Sequence, residues 1–274
     1  MTAAEKSYDN RPIGVFDSGI GGLTAMKDLI RLLPNEDIQY FGDTARVPYG
    51  SHSRETIIRY ARQDLSFLLS RNVKAVLVAC GTASATALTE LRGMTKIPVM
   101  GVIEAAAKAT VRTGARRVAV LATGASVRSR AYSAALKGLD PGIQVSEKAC
   151  PLFVPLIENG YADCSNPVTR LVIRDYIEAI RPFEPEAVIL GCTHYPLLKE
   201  GIQAELPEAV IVESGKEAAI AMADEICKAG LSAEPNRSGE RRYAVSEITD
   251  SFQETCELFL GERIEESIEI VHFN

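Results

Sequence analysis

Short apolar runs recur along the chain, each bounded by turn residues and followed by a stretch with helical spacing. Strands are predicted at residues 13–16, 38–41, 75–80, 97–102, 118–121, 144–148, 187–192 and 209–212. Most are near-continuous aliphatic blocks rather than alternating ones, which is the pattern of a parallel strand covered on both faces. Leu23, Met26, Leu29, Ile30 and Leu33 share one helix face, as do Ile57, Tyr60, Ala61, Leu65, Leu68 and Leu69. A third helix is predicted over 170–180, and the tail carries helical patterns at 217–227 and 248–260. Strands alternating with helices predict an α/β fold with parallel sheets.

The order of turns repeats. Ser18-Gly19 and Thr123-Gly124, Val47-Pro48 and Val154-Pro155, and Cys80 and Cys192 stand 105, 107 and 112 residues apart. A nearly constant offset in one order marks an internal repeat a half-domain long. The expected architecture is two pseudo-symmetric parallel-sheet α/β domains whose strand ends meet at one cleft. AVLVAC and AVILGC both end in cysteine, so Cys80 and Cys192 belong at the carboxyl strand ends, where open α/β sheets place ligands. A single strand-end cysteine is more often an inert core thiol; its repetition is what argues for function.

A chain of 274 residues has room for about two domains. Its net charge of −6 argues against nucleic acid as a partner. The opening MTAAEKSYDNRP has no apolar centre of a signal peptide, and no run approaches the roughly 20 apolar residues of a membrane span, so a cytoplasmic protein without a membrane partner is expected. Six cysteines in that setting read as reduced thiols. No metal is expected, because Cys80, Cys150, Cys192 and His194 have no zinc-ligand spacing. Cys150, Cys164, Cys227 and Cys256 read as structural or surface thiols.

Asp17-Ser18-Gly19-Ile20-Gly21-Gly22 follows a strand and opens a helix, yet it is neither GxGxxG nor a Walker loop. Its leading acid would repel a phosphate; an aspartate facing a cleft suits proton handling or an ammonium group. Cys80 precedes a helix expected to be capped near Thr82, whose N–H groups should favour the thiolate. His194, two residues beyond Cys192, is placed to exchange a proton with that thiol or with substrate. Glu158 follows the second repeat's strand in a loop, as Tyr49-Gly50 follows the first's.

Together GVFDSGIGGLT (14–24), GDTARVPYG (42–50), ACGTASA (79–85), VPLIENG (154–160) and GCTHYPLL (191–198) resemble the glutamate racemases, in that family's order and over about residues 11–215. GCTHYP sets them apart from the similar aspartate racemases, which usually carry an acid where His194 stands. The resemblance implies cofactor-free exchange of the α-proton of glutamate, supplying D-glutamate for peptidoglycan. Cys80 then deprotonates the D form and Cys192 the L form, with Asp17 assisting the first and His194 and Glu158 the second. Ser18, Tyr49, Gly50, Gly81, Thr82 and Thr193 hold the ligand. It further implies a homodimer, and domains at 1–98 plus 213–274 and at 99–212. Activation by a cell-wall precursor is not expected, since no extended regulatory segment precedes the first strand.

One position departs from the family, which has Asn after its first cysteine where this chain has Gly81. The missing amide predicts a water-filled gap that Gly81→Asn would fill. The alternatives are an isomerase of another acidic amino acid, or an amino-acid-binding regulator without turnover. A Cys-His hydrolase would leave Cys80 without a role.

Overall fold

A computed structural model describes residues 8–248 and 252–273; residues 249–251 of the predicted 248–260 helix lie outside the described residues. The strands are β1 Ile13–Asp17, β2 Ile38–Gly42, β3 Ala75–Val78, β4 Val99–Gly101, β5 Arg117–Ala122, β6 Gln144–Ala149, β7 Ala187–Leu190, β8 Val210–Glu213, β9 Arg241–Val245 and β10 Ile268–Ile270. They form two parallel sheets, ordered β10-β9-β2-β1-β3-β4 and β6-β5-β7-β8. The second order is that of the first with β2, β1, β3 and β4 replaced by β6, β5, β7 and β8. The internal repeat is therefore a repeat of topology.

Parallel register brings the carboxyl ends of each sheet to a common edge. Asp17 pairs with Gly42, and Phe16 with Val78, so the Asp17 turn lies beside the Cys80 turn. In the second sheet Leu121 pairs with Leu190, which sets Thr123 beside Cys192. β1, β2, β3 and β7 are buried along their whole length; for β3 and β7 this is what their unbroken aliphatic runs require.

Two expectations need correction. The boundary at 98/99 separates β4 from its sheet, since Val99 pairs with Val76 and Gly101 with Val78 of β3. The helical patterns expected in the tail leave out β9 and β10, which join the first sheet, the half to which the resemblance assigns the tail, with β9 pairing along β2 from Ile38 to Gly42. β9 reads RRYAV, and two leading arginines hide a strand at a sheet's periphery from a search for apolar runs.

The two sheets share a core. Helix Val102–Arg112 buries Val102, Ile103, Ala105, Ala106, Ala107 and Ala109. It packs on helix Ser214–Lys228, which in turn packs on helix Leu23–Leu32. These small residues allow helix axes to approach closely, and one continuous hydrophobic cluster includes Val15, Met26, Ala106, Val120, Ile189 and Met222 from both halves. Each fully buried aliphatic side chain contributes about 1.5–3 kcal/mol. On helix Arg54–Ser70 the predicted face is right for Ile57, Ala61, Leu65 and Leu68, but Asp64 is buried with them.

Candidate active site

The carboxyl ends of the two sheets face each other across a cavity of about 30 Å³, space for roughly two waters. Ser18, Tyr49, Gly50, Cys80, Gly81 and Thr82 line it from the first half. Cys192, Thr193 and His194 line it from the second. Asp17 and Glu158 stand behind these walls, each bonded to a lining element. The two thiols thus share one cavity, from equivalent places in the two repeats.

Cys80 is the cap of helix Gly81–Arg92, its sulfur accepting the Ala83 N–H at 3.4 Å. The cap is therefore the cysteine itself and not Thr82, whose hydroxyl lies 2.9 Å from that of Thr123 in the other half. Cys80 also donates to Ser18 Oγ at 3.4 Å. The expected stabilisation of the thiolate is overturned: burial pushes the Cys80 thiol up to about 12, the negative charge of Asp17 adds to it, and the Ser18 and Ala83 hydrogen bonds oppose it only in part. Desolvation of a full charge outweighs two long sulfur hydrogen bonds.

Asp17 explains the glycine-rich turn. Its Oδ2 accepts the N–H groups of Gly19 at 3.2 Å and Gly22 at 3.1 Å, so the turn's donors are taken by its own aspartate. Oδ1 is buried without a partner. Burial raises the Asp17 pKa, against the charge of His194. Gly21 meets the second half: a Cβ there would stand 2.5 Å from both His194 Nδ1 and Thr193 Oγ1. Only a residue without a side chain lets the two strand ends come this near.

On the other side, Cys192 Sγ lies 3.8 Å from His194 Nδ1, and His194 Nε2 lies 2.9 Å from Glu158 Oε1. Glu158 is the last residue of helix Phe153–Glu158 rather than a loop residue. Burial works against a charge on His194, but hydrogen bonds with Cys192 and Glu158 prevail and push it up to about 10. The direction of the shift favours the imidazolium. Phe259, from the tail helix Phe252–Leu260, sets its ring edge-on to His194 at 4.9 Å between centroids.

Two expected ligand contacts are revised. The Tyr49 hydroxyl does not enter the cavity; it bonds Asp43 and, at 2.7 Å, Asp64 Oδ2. Gly81 leaves no water-filled gap either, because a Cβ there would stand 2.3 Å from the Gly191 carbonyl oxygen. The seam between the halves passes over it, backbone against backbone.

Sequence reasoning missed Val47, Pro48, Thr123, Val154 and Gly191, which also line the cavity. Thr123 was within reach, since Thr123-Gly124 is the repeat partner of Ser18-Gly19. Phe259 had no signal beyond its place on a helix face. Cys150 and Cys256 are buried, Cys164 is half-buried and Cys227 exposed, all as free thiols.

Comparison with known proteins follows the same lines. The glutamate racemase of Geobacter metallireducens is 45% identical over 257 residues, covering 93% of this chain and 94% of that protein. The crystal structure of the Francisella tularensis glutamate racemase in complex with D-glutamate superposes with a TM-score of 0.90 at 39% identity, covering 96% of this chain and 98% of that one. That of the Thermus thermophilus enzyme in complex with β-chloro-D-alanine gives 0.86 at 43% identity, with the same coverage. Residues 13–223 match the Asp/Glu/hydantoin racemase family, and the chain belongs to it, among the glutamate racemases.

Proposed function

We propose that this protein interconverts L- and D-glutamate without a cofactor, using Cys80 and Cys192 as two bases on opposite faces of the α-carbon. The observation that carries this reading is the pair of equivalent strand-end thiols lining one cavity. Racemisation needs one group to take the α-proton and another to return a proton to the opposite face. One thiolate accepts the proton, the carbon's electron pair spreads into the α-carboxylate, and the opposite thiol delivers its proton to carbon. Cys80 takes the proton from D-glutamate and Cys192 from L-glutamate. The reaction leaves each thiol in the state the reverse direction requires.

The weak acidity of the α-proton sets the main barrier, so charge at the carboxylate must be stabilised by fixed donors. The hydroxyls of Ser18, Thr82 and Thr193 and backbone N–H groups near Tyr49, Gly50 and Gly81 are the groups available. Protonated His194, held by Glu158, supplies positive charge on the Cys192 side. On the Cys80 side the resting form is the thiol, given a pKa near 12. A bound α-ammonium group brings the positive charge that Asp17 and a Cys80 thiolate lack. A cavity of about 30 Å³ is too small for glutamate, so the halves part to admit it. The product D-glutamate serves peptidoglycan synthesis.

The direct test is circular dichroism of the purified protein with either enantiomer and no added cofactor. Loss of optical activity from both supports the reading; a requirement for pyridoxal phosphate, or inactivation by a chelator, overturns it. Cys80→Ser and Cys192→Ser resolve the faces, because a hydroxyl is far harder to ionise than a thiol. β-Chloroalanine loses its α-proton and chloride with one base. Cys80→Ser should keep elimination from the L analogue and Cys192→Ser from the D analogue, while neither racemises. Equal losses for both analogues in both variants contradict one thiol per face.

Among the described residues no helix is long and apolar enough to cross a membrane. We place the protein in the cytoplasm, where its substrate is made, and as a homodimer, a state that sedimentation equilibrium measures directly.

A further inference from the structure

The cleft wall at Tyr49 and Gly50 is tied to a buried cluster that the proton-transfer steps do not use. Asp43 and Asp64 have fully buried side chains and share one guanidinium, that of Arg46. Arg46 Nε donates to Asp43 Oδ2 at 2.6 Å, Nη2 to Asp64 Oδ1 at 3.2 Å, and Nη1 to Gln63 Oε1 at 2.5 Å. The guanidinium is stacked between the rings of Tyr60, at 4.2 Å, and Phe273, at 4.6 Å, so the tail closes the cluster. Tyr49 Oη touches both carboxylates.

Counting protons decides the arrangement. A phenol has one O–H, and it satisfies one carboxylate. The other contact, 2.7 Å between Tyr49 Oη and Asp64 Oδ2, needs a proton of its own. Asp43 receives Arg46 Nε, the Tyr49 hydroxyl and, at 2.9 Å on Oδ1, the Ser246 hydroxyl. Apart from Tyr49, Asp64 receives among the described residues only the long contact from Arg46 Nη2. The larger set of donors therefore belongs to Asp43.

We infer that Asp64 is a protonated carboxylic acid at neutral pH, donating to Tyr49, which donates to ionised Asp43, and that this one-way chain fixes the 46–50 wall of the cleft. The cluster is then neutral: one guanidinium, one carboxylate, one acid, one phenol. Burial, followed by the charge of Asp43, raises the Asp64 pKa well above the usual carboxylate range, in the direction the proton count requires. Asp43, Arg46, Tyr49 and Asp64 are positioning residues, acting on substrate through Tyr49 and Gly50. The kinetic consequence rests on the function proposed above; the proton on Asp64 does not.

The proton is read by infrared difference spectroscopy at neutral pH, wild type against Asp64→Asn. The expected spectrum has a protonated-carboxyl band that Asp64→Asn removes and that is absent from the wild type minus Tyr49→Phe difference except as a shift. A difference containing only carboxylate bands overturns the assignment. Positioning is read by steady-state kinetics: Tyr49→Phe should raise KM for both enantiomers, by about tenfold or more for the loss of a hydrogen bond to an ionised carboxylate, with a smaller effect on kcat. An amide reproduces a neutral acid better than a carboxylate, so Asp43→Asn should raise KM more than Asp64→Asn. Equal penalties from these two, or an unaltered KM in Tyr49→Phe, overturn the chain of donors. Should Asp43→Asn fail to fold, Tyr49→Phe and Asp64→Asn still decide it. An inactive wild type would sink the racemase reading while the infrared band still reported on Asp64.

Discussion

Removing the charge of Glu158 should lower the pKa of His194 by about one unit. Glu158 Oε1 lies 2.9 Å from His194 Nε2, and the histidine is 4% exposed. A pair of unit charges at such range is worth about 4 kcal/mol near a protein surface and about 1 kcal/mol in water. The Glu158 side chain is 33% exposed, so the smaller end applies, about 1–2 kcal/mol. At about 1.4 kcal/mol per pKa unit, Glu158→Gln moves His194 from about 10 to roughly a unit lower. The glutamine still accepts or donates one hydrogen bond, which keeps the ring in place. Nuclear magnetic resonance of the imidazole rings gives the midpoint directly, and with only three histidines in the chain each is assigned by one substitution.

The same shift governs stability. His194 binds its proton more tightly folded than unfolded, so its contribution is complete below its unfolded value of 6.5 and is lost as pH rises through about 10. In Glu158→Gln that loss should be complete about one unit earlier, visible in denaturant midpoints between pH 7 and 10. A wild-type His194 that titrates near 6.5, or a midpoint that Glu158→Gln leaves in place, would refute the reasoning.

Gly81→Asn places a Cβ 2.3 Å from the Gly191 carbonyl oxygen, with backbone on both sides, and so should part the seam at a cost of about 1–3 kcal/mol; a lower denaturation midpoint, partly restored by glutamate, is expected, and an unchanged or higher one would reinstate the water-filled gap. Phe259→Ala removes a ring that is 2% exposed and should cost about 3–5 kcal/mol. It should also move the His194 resonance, because the two rings meet edge-on at 4.9 Å; a resonance that stays put would detach the tail from the site.

Much of the site was legible in the chain because it sits at strand ends. AVLVAC and AVILGC announce buried parallel strands, and in a parallel sheet whatever follows such a strand faces the ligand side. That is why Cys80 and Cys192 were placed at the site from strand ends, with His194 beside the second and Thr82 and Thr193 added by the family resemblance, and why the repeat offsets anticipated matching strand orders in the two sheets. Thr123 followed from the same repeat and was passed over. β9 was missed because its arginines break the apolar run, and nothing in the spacing of helix Arg54–Ser70 marks Asp64 as buried.

Sequence by itself determined the local features: which runs become strands, which residues stand at their carboxyl ends, and that the chain contains two copies of one plan. Those depend on spacing and side-chain type within a few residues. Tertiary structure alone decided the electrostatic state of each group, because that depends on burial and on partners far along the chain. Helix N–H groups favour a thiolate at Cys80, but burial beside Asp17 raises it instead. Hydrogen bonds with Cys192 and with Glu158, 36 residues away, raise the His194 pKa, and Asp43 and Asp64 capture the Tyr49 hydroxyl that sequence assigned to the ligand. Gly81 reads as a missing side chain in one dimension; in three it is a contact, since the Gly191 carbonyl occupies the space an amide would need.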